Sequence, residues 1–142
     1  MALVPDASAA LAWLIDRKSP AEARRAEAIL RSLYAEDGVV PGLWYAEVTN
    51  GILVAERQGA CSRPEIAEFL GMLSALPIAE DRARPSDTQP AVLSLARVYR
   101  LSGYDAVYLE LALRSGAPLA TFDRHLAEAV RKAGGRVFGD RA

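Results

Sequence analysis

Pro118-Leu119-Ala120-Thr121-Phe122-Asp123-Arg124 opens with a short apolar run and passes directly into a polar segment that continues with helical character to Ala133. The run, residues 118–121, reads as a strand, and residues 123–133 read as a helix with Asp123 at its start. The same order occurs at the beginning of the chain. Residues 3–5 (Leu3-Val4-Pro5) read as a strand, Asp6 stands where an N-cap belongs, and residues 7–15 read as a helix. The order strand, acid, helix thus occurs at both ends of the chain.

Outward from these two segments the same alternation continues. Ser19-Pro20-Ala21-Glu22 is a capping box with proline at the first helical position, and its helix runs to about residue 36 and stops at Asp37-Gly38. Val39-Val40 is a second strand, followed by a long helix over 42–57. Ser62-Arg63-Pro64-Glu65 is another capping box, for a helix to about residue 75. Residues 77–80 form a weak third strand, Ser86 caps a helix to about residue 100, and residues 104–115 form the next helix. Gly134-Gly135 ends the last helix, and residues 136–138 are a fifth strand. Strands alternating with helices predict an α/β fold, a parallel sheet covered on both faces. Open sheets of this kind bind ligands beyond the carboxyl ends of their strands. Asp6 and Asp123 both stand there.

Bulk properties narrow the class. At 142 residues, 51% of them hydrophobic, the chain is expected to be a single domain over 1–142. No apolar stretch is long enough to span a membrane, and the N-terminal residues do not resemble a signal peptide. The single cysteine, Cys61, leaves no internal disulfide and no cysteine-based zinc site, so a reducing cytoplasm is the expected location. The net charge of -1 lacks the surplus of most nucleic-acid binders. Arg24, Arg25, Arg31, Arg124, Arg131, Lys132 and Arg136 are numerous enough to line one edge, although a solvated helix surface accounts for most of them.

Several chemistries are excluded. The one histidine, His125, rules out a two-histidine ribonuclease and an HExxH zinc site. There is no Gly-x-Ser-x-Gly elbow, no phosphate-binding loop of the Gly-x-x-x-x-Gly-Lys type and no Gly-x-Gly-x-x-Gly. A dehalogenase-like phosphatase needs an aspartate two residues after the first, where this chain has Ser8. A response-regulator receiver needs an acidic pair near its first strand, and Asp6 has no acidic neighbour. The reactive groups that remain are carboxylates. Asp6 and Asp123 have a simpler reading as helix caps, and Asp105 as the far member of a Ser102-x-x-Asp105 box. Glu47, on a flank shared with Leu43, Trp44 and Gly51, calls for a partner: an arginine or a metal. Asn50, three residues on, points the same way, and Ser8 and Thr121 each lie two residues from an aspartate. All three could orient acids, or make local turn bonds. Oxygen-only ligands favour magnesium or manganese.

With these residues in view, the chain resembles a PIN domain, specifically a VapC-type toxin of a toxin–antitoxin pair. The resemblance spans essentially the whole length. It is carried by Val4-Pro5-Asp6-Ala7-Ser8-Ala9, by residues 41–50 (Pro41-Gly42-Leu43-Trp44-Tyr45-Ala46-Glu47-Val48-Thr49-Asn50), by residues 104–112 (Tyr104-Asp105-Ala106-Val107-Tyr108-Leu109-Glu110-Leu111-Ala112) and by residues 119–124. It implies a three-layer sandwich with a short, mostly parallel sheet of about five strands. It implies that Asp6, Glu47, Asp105 and Asp123 are an acidic quartet holding Mg²⁺ or Mn²⁺, with Ser8, Asn50 and Thr121 as polar neighbours. The family further implies an endoribonuclease acting on RNA such as tRNA or rRNA, a homodimer, and a small VapB-type antitoxin. Two other readings stay open: a PIN-fold RNA- or protein-binding module without catalysis, and an acidic-site phosphatase. Pro5 replaces the more usual aliphatic residue before the first aspartate and removes one backbone donor there.

Overall fold

The computed structural model describes residues 2–140; Met1, Arg141 and Ala142, at the ends of the expected domain, lie outside the described residues. The element order is β1 (Val4–Pro5), α1 (Ala7–Leu11), α2 (Pro20–Glu36), β2 (Gly38–Val40), α3 (Leu43–Arg57), α4 (Arg63–Ala75), β3 (Ile78–Glu80), α5 (Pro85–Tyr99), α6 (Gly103–Ser115), β4 (Leu119–Ala120) and α7 (Arg124–Lys132). Both ladders are parallel. β1 pairs with β4, Val4 opposite Leu119, and β2 pairs with β3, Val39 opposite Ala79. A bridge between Leu3 and Gly38 joins the two ladders, and one between Leu119 and Val137 adds the C-terminal segment. Across the sheet the order is therefore β3, β2, β1, β4 and Val137.

Adjacent residues of a strand point to opposite faces, and here each face has its own core. Leu3 and Ala120 pack with Ile29 and Leu33 of α2, while Val4 and Leu119 pack with Trp44, Tyr108 and Leu126. The expected three layers follow from this alternation. Glycine permits the closest helix approaches. A Cβ at Gly38 would stand 2.5 Å from Leu33 Cδ2, and one at Gly51 would stand 2.2 Å from Leu11 Cδ1. Gly51 thus lets the Leu11 end of α1 lie directly on α3. On the other side, buried Glu110 accepts from Arg114 Nε at 2.8 Å, and Arg114 Nη2 donates to Asp81 at 2.6 Å, tying α6 to the end of β3.

Four details differ from the sequence expectations. The fifth strand is reduced to the bridge at Val137, because the chain turns away at once: Asp140 N donates to Val137 O, and Gly139 sits at φ 94°. Helix α1 ends at Leu11 rather than residue 15. Beyond it Trp13 N and Leu14 N make tight bonds to Ala10 O and Leu11 O, while the Trp13 indole donates to Ala26 O in α2 at 2.9 Å. Helix α5 starts at Pro85, whose fixed φ suits the first helical position, so Ser86 is inside the helix and not its cap. Of the serine boxes, Ser62–Glu65 has both halves, whereas Ser19 accepts from Glu22 N but the Glu22 carboxylate pairs with Arg17.

The missing donor of Pro5 falls on the harmless side. Leu3 N bonds to Asp37 O beside β2, whereas Val4 N and Asp6 N bond to Pro118 O and Ala120 O of the β4 segment. By this alternation Pro5 would aim its donor at the β2 side, where pairing has already stopped.

Candidate active site

Asp6 is fixed from both sides. Its Oδ1 accepts from the Ser8 hydroxyl at 2.6 Å and from Ala9 N at 3.0 Å, and its Oδ2 accepts from the Thr121 hydroxyl. Those hydroxyls are themselves held: Phe122 N donates to Ser8 Oγ at 2.9 Å, and Asp123 N donates to Thr121 Oγ1 at 2.9 Å. The two strand–acid–helix segments are thus bolted together through Asp6. Asp6 also caps α1, so the capping and site readings of this residue are not exclusive. It is 6% exposed, and burial pushes its carboxyl up to about 6, a rise to which the Asp105 charge adds and which the three hydrogen bonds oppose.

Asp123 lies at the end of β4 and caps α7, accepting from Leu126 N at 2.9 Å. Glu47, half-buried on α3, does not meet an arginine. The buried phenol of Tyr108 donates to Glu47 Oε1 at 2.5 Å. Burial and then Glu47 itself push the Tyr108 hydroxyl far above its usual range, so it stays a donor. Asn50 is exposed and makes no bond to Glu47; the side chain bonded to Glu47 in this structure is Tyr108.

Asp105 differs from the other three. Ser102 caps α6 by accepting from Asp105 N at 3.0 Å, but no return bond closes the box. The half-buried Asp105 carboxylate has no hydrogen-bond partner among the described residues. Burial first, then the charges of Asp123 and Glu47, raise its pKa, and it acts in turn on Asp6. Asp105 thus feels the charges of Asp123 and Glu47, and Asp6 feels that of Asp105.

The sequence profile of the PIN domain family matches residues 3–132. The chain belongs to the PIN domain family. It is similar to Ribonuclease VapC3 of Pyrobaculum aerophilum, with 30% identity over 90% of this chain and 94% of that one. Its fold is similar to the crystal structure of PAE2754 from the same organism, with a TM-score of 0.68 and 25% identity, covering 96% of this chain and 83% of the other. The α/β architecture with a short parallel sheet is that of a PIN domain.

Among the described residues, no three His, Cys, Asp or Glu side chains stand ready as a ligand set. In this structure Asp6 is held by Ser8 and Thr121, Glu47 accepts from Tyr108, and Asp123 accepts from Leu126 N of its own helix. The PIN site nevertheless suits a hard divalent cation. Its candidate donors are all carboxylates, and Asp105 among them is half-buried without a hydrogen bond. The Tyr108 contact with Glu47 has one trace in the sequence: Tyr108 follows Asp105 by three residues, so both lie on one side of α6.

Proposed function

We propose that this chain is a metal-dependent endoribonuclease, the toxin of a type II toxin–antitoxin pair, that hydrolyses RNA phosphodiester bonds with Asp6, Glu47, Asp105 and Asp123. The observation that carries the reading is the Asp105 carboxylate, half-buried, unbonded and coupled to three other acids. A carboxylate kept only for stability is paired when it is buried. The name Ribonuclease VapC3 of a relative aligned over most of both chains supports the same reading.

The four carboxylates would hold Mg²⁺ or Mn²⁺, which when bound neutralises phosphate charge and makes a water acidic enough to attack at neutral pH. The remaining work belongs to the protein. Ser8 and Thr121 keep Asp6 in one orientation, and Tyr108 does so for Glu47. A carboxylate oxygen not engaged otherwise, for which Asp105 is the best placed, orients the attacking water or takes its proton.

The substrate is RNA, with tRNA and rRNA the first to test, in the cytoplasm. Among the described residues no helix is long and apolar enough to cross a membrane. The partners are a second copy of the chain and a VapB-type antitoxin segment lying over α3 with an arginine toward the acids. Trp44 is in the core, so such a segment would meet exposed Tyr45, Leu53 and Val54 instead. The caps made by Asp6 and Asp123 favour a second reading, an RNA-binding PIN module without catalysis. Incubating RNA with the purified protein separates the two. Cleavage that needs Mg²⁺ or Mn²⁺, stops with EDTA and leaves a 5′-phosphate is expected. A 2′,3′-cyclic phosphate product would mean the RNA's own hydroxyl attacks, and no cleavage under any condition would leave the binding module.

A further inference from the structure

An acidic pocket repels the phosphates it must handle, and a chain with net charge -1 has no general surplus to overcome this. Compensating charge has to be local. Phe122, the residue between Thr121 and Asp123, is where it gathers. The Phe122 ring is half-buried, and its backbone is pinned to the site by the bond from its N–H to Ser8 Oγ. Arg17 Cζ lies 4.2 Å from the ring centroid and Arg25 Cζ lies 5.4 Å from it. Both are within the reach of about 6 Å at which a cation is drawn to an aromatic face.

A purely structural account would have these arginines staple α2 to the loop after β4. Arg17 does pair with Glu22, and Arg25 Nη2 donates to Phe138 O at 3.2 Å. A staple needs one guanidinium, however, and two cations on one ring repel each other. Arg25 spends only one donor of five on that carbonyl. Arg124, directly after Asp123, is exposed and has no carboxylate partner among the described residues. By contrast Arg31 is paired with Glu27 and Arg131 with Asp140. An open cleft lined by Phe122 also contains Arg25, Arg124 and Asp123, so these two arginines share one cleft with an acid of the site.

We infer that Phe122 is a pedestal for the Arg25 guanidinium, which with Arg124 grips the phosphates of the RNA strand beside the bond to be cut, while Arg17 on the same ring is neutralised by Glu22. This rests on the ribonuclease reading and adds the path by which RNA crosses the site. Because guanidinium groups occupy the ring, Phe122 positions cations and stacks no base, so the contacts are to backbone and indifferent to sequence.

The test is anisotropy of fluorescent RNA oligonucleotides of several unrelated sequences, in EDTA, with melting temperatures confirming the fold of each variant. Arg25→Glu and Arg124→Glu should each weaken binding about tenfold or more on every sequence and lower the slope of log affinity against log salt by about one. Arg25→Gln, the milder change, should give a smaller loss in the same direction. Phe122→Leu should weaken binding several-fold at unchanged charge, and Phe122→Tyr should restore it. Arg63→Glu, at an exposed position at the start of α4, should bind as wild type does. Arg25 and Arg124 variants that bind no worse than Arg63→Glu would overturn the inference, and a Phe122→Leu that binds RNA as tightly as wild type would remove the pedestal. A wild-type protein that neither binds nor cleaves RNA is a different result and would overturn the ribonuclease reading itself.

Discussion

Tyr108 on α6 donates its phenol to Glu47 Oε1 on α3 at 2.5 Å, and this bond links the two helices that carry half of the acidic site. The ring is in the core while the hydroxyl reaches the site, so Tyr108→Phe keeps the packing and removes only the bond. Loss of such a partner of a ligand typically costs about 10–100-fold in metal affinity or activity. We expect Tyr108→Phe to cleave RNA at least about tenfold more slowly and to need more Mn²⁺ for half-maximal rate, with a melting temperature close to wild type. An unchanged Mn²⁺ requirement would make the bond purely structural.

Asp105→Asn removes one charge at nearly constant shape, and the carboxylate it replaces has no bond to lose. The variant should therefore melt higher than wild type without metal, lose cleavage, and gain less on adding Mn²⁺. If Asp105 merely favours the N-terminus of α6 by its charge, the substitution costs up to about 1 kcal/mol and the metal response matches wild type. Melting curves with and without Mn²⁺ separate the two.

Asp6 links stability to pH. Its carboxyl is raised from 3.8 to about 6, so the folded protein holds this proton more tightly than the unfolded chain. The contribution is fully present below about pH 4 and is lost as pH rises through about 6, a change on the order of 3 kcal/mol. Asp81 and Asp140, lowered chiefly by bonds from Arg114 and Arg131, act oppositely, so a single curve would blur the effect. The difference in unfolding free energy between wild type and Asp6→Asn, measured in EDTA from pH 4 to 7, isolates it. That difference should shift against wild type as pH rises; a flat difference would mean Asp6 ionises as an ordinary surface acid.

His125 Nε2 donates to the Arg100 carbonyl at 2.9 Å, joining the first turn of α7 to the end of α5. Its side chain is exposed, and a carboxylate site needs no imidazole. His125→Ala should cleave within a few-fold of wild type. A loss of about a hundredfold, the scale of removing a general acid or base, would require a different site.

The strand–acid–helix segments were legible because each rests on local chemistry: an apolar run, a cap, a helix. Asp6 and Asp123 land as expected for that reason, and the parallel pairing of Val4 with Leu119 follows. What was not legible depends on partners distant in sequence. Three serine boxes look alike in the chain, yet Glu22 is drawn away to Arg17 and Asp105 turns from Ser102, so only Ser62–Glu65 closes. Glu47 was recognisable as an acid in need of a partner, but the partner is 61 residues away. The shortened α1 reflects the Trp13 bond to α2, another long-range preference overriding local periodicity.

If Asp6, Glu47, Asp105 and Asp123 together hold bound metal, calorimetric titration with Mn²⁺ will register the loss of any one of them. Wild type and the variants Asp6→Asn, Glu47→Gln, Asp105→Asn and Asp123→Asn would be compared, each first shown to be folded. Measurable Mn²⁺ binding by wild type and a loss of about tenfold or more in every variant are expected. Wild type that binds no Mn²⁺, or four variants that bind it as wild type does, would rule out a carboxylate metal site.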